Sequence, residues 1–124
     1  MKLFLLGLLT IASLNAKALC QYSGPITPMV RDYFQAGLLV QIGTSATTMS
    51  NQVDNSRLAL DLYMTALKNI ETYDDAVFLQ GMMTSTAKAG SLVYRFDFRL
   101  LDEIVKTKFG GRFEEYKQCS VRRP

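Results

Sequence analysis

The sequence predicts an all-α protein: a small helical bundle of three long helices plus a short C-terminal helix, its termini tied by one disulfide. Three observations carry this reading. Apolar residues recur at steps of three and four along most of the chain after residue 28. The one stretch that alternates like a strand, residues 94–100, has no second strand-like segment to pair with. The only two cysteines, Cys20 and Cys119, fall near the two ends of the chain once an N-terminal leader is removed.

The leader is residues 1–18. Met1-Lys2 gives a positive start, Leu3 to Leu14 an apolar run, and Ala16 and Ala18 flank Lys17 in an A-x-A pattern. This is the layout of a secretory signal peptide, with an apolar run too short to span a bilayer. Cleavage after Ala18 leaves residues 19–124 as a single helical domain; Ala16 offers a second site. The expected location is periplasmic or secreted, with no transmembrane segment after cleavage. Lys17 and Leu19 argue against lipidation of Cys20, because such sites want a small residue before the cysteine. Asn15, Asn51, Asn55 and Asn69 lack Ser or Thr two positions on, so none is a glycosylation acceptor. In an oxidising compartment Cys20 and Cys119 form one intramolecular bond or two intermolecular ones. The intramolecular bond closes a loop of about 100 residues, worth about 4.7 kcal/mol on a chain-entropy argument.

Residues 19–28 hold Gly24, Pro25 and Pro28 and read as a turn-rich lead-in. Thr27 before Pro28 is an N-cap with proline at the first helical position. Met29, Tyr33, Ala36 and Val40 then repeat at helical spacing, giving a helix over about 28–42 with Gly43 as its stop. The next helix, 46–72, is the clearest: Met49, Val53, Ser56, Leu60, Tyr63, Leu67 and Ile70 line one face. Tyr73-Asp74-Asp75 reads as a short connection with an aspartate capping a helix over 75–92. So short a turn predicts antiparallel packing of the helices on either side. Gly81, Ser85 and Ala89 make a small-residue face that would admit a neighbouring helix. Residues 94–100 fit both a strand and a helix; the missing strand partner decides for helix, continuing through LLDEIVKTKF. Gly110-Gly111 ends it, and residues 112–119 form the last short helix.

Composition excludes more chemistry than it selects. There is no histidine, which removes Ser-His-Asp and Cys-His sites and most zinc sites. Asp74/Asp75, Asp102/Glu103 and Glu114/Glu115 are adjacent pairs, and neighbours on a helix do not face one another. The net charge of +3 falls to +1 when Lys2 and Lys17 leave with the leader, too little for a nucleic-acid binder. No catalytic residue, metal site or cofactor is expected. Aromatic and basic residues interleave in the last third, and Arg95, Phe98, Arg99 and Arg112 are the candidate partner-binding residues. The expected function is a small exported, non-enzymatic protein-interaction domain with a protein partner in the cell envelope. An immunity protein or an accessory subunit of a secretion or conjugation system has this layout. The alternative is a helical carrier of a small apolar ligand.

Overall fold

The computed structural model describes residues 21–44, 48–88 and 98–120. Among them the chain is all-helical and contains no strand: α1 (Pro28–Thr44), α2 (Met49–Lys68), α3 (Tyr73–Lys88), α4 (Phe98–Lys108), a 3-10 turn (Gly110–Arg112) and α5 (Phe113–Ser120). Three long helices roughly match the expected ones, and two shorter ones follow them where one was expected. α4 packs back against α3, which a single helix running on from α3 would not allow.

Helix α1 starts at Pro28, where a missing N–H costs nothing. The Thr27 carbonyl accepts from the N–H groups of Val30 and Arg31 at 3.0 and 3.1 Å. The Thr27 hydroxyl does not cap its own helix; it donates to Asp75. Gly43 does not stop α1, which runs on to Thr44, whose hydroxyl bonds back to the Val40 carbonyl at 2.8 Å. Helix α2 ends at Lys68, four residues before the expected 72. Asn69 closes it, with its N–H on the Ala66 carbonyl at 3.1 Å and its side-chain amide on the Thr65 carbonyl at 2.7 Å. Helix α3 begins at Tyr73, two residues early, because Thr72 and Asp75 form a capping box. The Asp75 N–H donates to Thr72 Oγ1 at 3.1 Å, and the Thr72 N–H donates to Asp75 Oδ2 at 3.0 Å. Residues 94–97 lie outside the described residues, whereas 98–100 are helical.

Helices α1 and α2 pack along one another most extensively. Gly37 makes this possible: a Cβ there would lie 2.7 Å from the Tyr63 ring and 3.3 Å from the Ala59 carbonyl. The pairing of α2 with α3, expected from their short connection, does not occur to any comparable extent. α3 instead leaves the hairpin and becomes the central helix, with Ala76, Val77, Leu79 and Met83 buried. It is flanked by α4, through Leu101 and Val105, and by α5, through Tyr116. One hydrophobic cluster joins these residues to Val30, Phe34, Tyr63, Leu67 and Ile70 of the hairpin and its exit.

Candidate interaction surface

The hairpin has a proximal end against α3–α5 and a distal end made by the second half of α1 and the first half of α2. The proximal end is fixed by polar bonds. Asp75 is fully buried and accepts from the Thr27 N–H at 2.8 Å, the Thr27 hydroxyl at 2.6 Å, and the N–H groups of Glu71 at 2.9 Å and Thr72 at 3.0 Å. Burial alone would raise this carboxyl. The bonds from Thr27, Glu71 and Thr72 outweigh it and hold Asp75 below the ordinary carboxylate range. Asp74 accepts from the Gly24 N–H at 3.0 Å, so the lead-in is strapped to the first turn of α3. Lys108 Nζ reaches from the end of α4 to the Ile70 carbonyl at 2.6 Å. These carboxylates are structural, and the Asp74/Asp75 pair is occupied by backbone and hydroxyl donors.

The distal end is built from two apolar rows. In α1, Phe34, Leu38 and Ile42 follow at steps of four; in α2, Met49 and Val53, then Leu60, Tyr63 and Leu67, recur at steps of three and four, with polar Ser56 between the two groups. The Phe34 and Tyr63 rings lie 5.1 Å apart, so the buried ends of the two rows meet at the seam between the helices. Each row begins in the core and runs out of it. Phe34 is buried, Leu38 half-buried and Ile42 72% exposed; Tyr63 is buried, Leu60 half-buried, Val53 51% and Met49 78% exposed. Leu39, on the outer face of α1, is 70% exposed. Residues 33–53 contain no Asp, Glu, Lys or Arg. Burial in α2 starts only at Ala59. Met49 and Val53, which the sequence places on the same face as the core residues, are therefore solvent-exposed among the described residues.

The residues singled out from sequence are distributed differently. Arg95 and Cys20 lie outside the described residues. Phe98 is half-buried and Arg99 exposed, both at the first turn of α4. Arg112 follows the far end of that helix, about 15 Å away along its axis. Its Nε donates to Glu115 at 2.8 Å and its guanidinium lies 3.6 Å over the Tyr73 ring. The Glu115 bond holds Arg112 still more firmly protonated, and burial pushes the Tyr73 phenol up, with Glu115 adding to the rise. Arg112 thus cements α5 to α3. Phe98 and Arg99 do not share a patch with it. Cys119 is 3% exposed on α5 and is not a free thiol. Its carbonyl accepts from Gln80 Nε2 at 3.4 Å, and Gln80 Oε1 accepts from the Tyr116 hydroxyl at 3.1 Å.

Gly81 and Ser85, expected to seat a neighbouring helix, are exposed, and a Cβ at Gly81 would meet nothing within 4 Å. They border an open groove of about 330 Å³ with Gln21, Tyr22, Phe78 and Met82. Tyr22 stands edge-on to Phe78 at 5.5 Å. The groove lies between the lead-in and α3 rather than inside the bundle. Among the described residues no group of His, Cys, Asp and Glu is arranged to hold a metal ion, and no helix is long and apolar enough to cross a membrane. No family model matches the chain, and no curated protein or solved structure does either. The fold and surface define a small all-α protein with an apolar helical hairpin end.

Proposed function

We propose that this protein is a small exported, non-enzymatic interaction domain that works through the distal face of the α1–α2 hairpin. Immunity proteins and accessory subunits of secretion or conjugation systems are examples of that class. The observation that carries the reading is the pair of apolar rows that leave the core and end at exposed Ile42, Val53 and Met49, within a stretch free of charge. Exposed apolar surface gathered at one end of a fold marks contact sites, and charge depletion is the compositional mark of interface centres.

The leader and a Cys20–Cys119 bond belong to the same reading. Its support is that Cys119 is buried and not a free thiol, and that Cys20 is the one other cysteine in the chain. Tyr22, two residues after Cys20, packs on Phe78 of α3, the same helix on which Gln80 holds the Cys119 carbonyl.

The test compares capture from native envelope extract by the tagged wild-type chain and by Ile42→Glu, each read by mass spectrometry. A stoichiometric protein retained by wild type and lost from Ile42→Glu is the expected result. Equal capture by both removes the hairpin face. Capture lost instead on Arg99→Glu moves the contact to the start of α4.

A further inference from the structure

We infer that residues 21–27 form a strap along the first half of α3, latched by the Cys20–Cys119 bond, and that reducing this bond frees the outer end of the strap while the helices stay folded. The inference rests on the Cys20–Cys119 reading above and gives that bond a role, a redox-sensitive latch.

The grip on the strap weakens outward from α1. At the inner end the Thr27 N–H and hydroxyl both bond the buried Asp75 carboxylate, at 2.8 and 2.6 Å. In the middle the Gly24 N–H bonds Asp74 at 3.0 Å, and the approach is so close that a Cβ on Gly24 would lie 2.6 Å from the same oxygen. At the outer end Gln21, Tyr22 and Ser23 are exposed, and Tyr22 rests edge-on against Phe78. A half-exposed ring contact is weak beside a covalent bond, so the bond decides whether the outer end stays down. What lies beneath is apolar. Val77 and Phe78 are buried, and Met82 carries the groove on toward Gly81 and Ser85.

The other partner of the latch is held without it. Tyr116 of α5 lies in the core and donates to Gln80 Oε1 at 3.1 Å, while Gln80 Nε2 reaches the Cys119 carbonyl at 3.4 Å. Helix α5 thus has its own hold on α3, and loss of the bond acts on the strap. The chemistry has a direction. Cys119 is 3% exposed, so a dithiol reductant attacks the sulfur of Cys20. A mixed disulfide forms there, and Cys119 leaves as a thiolate and takes up a proton. The second thiol of the reductant then displaces Cys20. The chain gains two electrons and two protons as two thiols, and the dithiol becomes a disulfide.

Chymotrypsin nicking of the purified chain, before and after dithiothreitol, tests this with fragments read by mass spectrometry. Iodoacetamide under denaturing conditions first reports the bond, and no cysteine should alkylate before reduction. Alkylation of both removes the bond and this inference with it, and leaves the hairpin reading standing. After reduction, cleavage following Tyr22 should quicken about tenfold or more, with helical circular dichroism unchanged and buried Phe34 and Tyr63 uncut. Cys20→Ser should do the same without reductant. An unchanged rate at Tyr22 overturns the inference, because the bond then latches nothing. Cuts at Phe34 and Tyr63 as fast as at Tyr22 overturn it too, because the bond then holds the whole fold. Asp74→Ala with the bond intact should change the rate at Tyr22 less than about twofold; a rise equal to that on reduction would make the Gly24 hydrogen bond the latch instead.

Discussion

At its proximal end the α1–α2 hairpin is held by four donors converging on Asp75 and by the Lys108 ammonium on the Ile70 carbonyl. At its distal end Thr44 and Ser56 bond back to Val40 and Gln52 of their own helices. Apolar residues run through both ends at the same spacing. Leu67 and Met49, five turns apart on one face of α2, therefore differ in what stands opposite them, whereas Ile42 lies about 80° around α1 from Phe34, off the buried line of Gly37, Gln41 and Thr44. Hydrophobic periodicity marks a face that can be buried; it does not say how much of that face this fold covers.

The largest predicted effect is at the proximal end. Asp75→Ala leaves the Thr27 hydroxyl and three backbone N–H groups without their acceptor and should cost about 3 kcal/mol, measured by urea denaturation at pH 7. The acid limb gives the sign independently. The folded Asp75 pKa is depressed, so its stabilisation is full above the unfolded carboxylate value near 4 and is lost as pH falls through the lower, folded value. Wild type should therefore lose stability below about pH 4, and Asp75→Asn should show a shallower fall. A wild type equally stable at pH 3 and pH 7 would remove Asp75 as the tie between the lead-in and α3.

Midway along the hairpin, Gly37→Ala is the next largest. Its Cβ would stand 2.7 Å from the Tyr63 ring, with the Ala59 carbonyl at 3.3 Å. The helices must part or Tyr63 must move, and Tyr63 is itself hydrogen-bonded to Gln41. The cost should be about 1–3 kcal/mol, although alanine is the better helix former by up to about 1 kcal/mol. A stabilised variant would show that the close approach is not tight. Lys108→Met is smaller, because the lysine is exposed and its bond to Ile70 competes with water; about 1 kcal/mol is expected in the same denaturation series.

The all-helical class and the rough extent of three long helices were legible because 3–4 periodicity and the Pro28 start act locally. The box at Thr72 and Asp75 is legible too, as T-x-x-D before an apolar run, and it sets the start of α3 two residues before the aspartate cap alone would. Asn69 as a stop was equally visible. What local pattern does not contain is tertiary choice. The Thr27 hydroxyl can cap α1 or bond Asp75, and only the fold decides. Gly37 looks like a liability within a helix until Tyr63 is placed against it. Gly81 and Ser85 look like a packing face, yet α3 turns them to solvent. Arg112 reads only as a partner contact, yet the fold also uses it, on Glu115 and over the Tyr73 ring. Chemistry-bearing residues stand out in the last third, whereas the uncharged tract from 33 to 53 is a signal carried by absence.

The smallest stability effect gives the sharpest contrast. Val53→Ala and Leu67→Ala delete aliphatic groups from one row of one helix, about 20 Å apart along its axis. Leu67 is buried in the core cluster, and its truncation should cost about 2–5 kcal/mol. Val53 is half exposed, and its truncation should change monomer stability by no more than about 0.5 kcal/mol. Thermal melts of the purified chain in dilute solution isolate that comparison. If Val53→Ala proves as costly as Leu67→Ala there, the distal row is already covered within one chain, and the contact surface must be sought elsewhere. If the cost appears only as concentration rises, the contribution of Val53 comes from association, and the same apolar row serves as core at one end and as interface at the other.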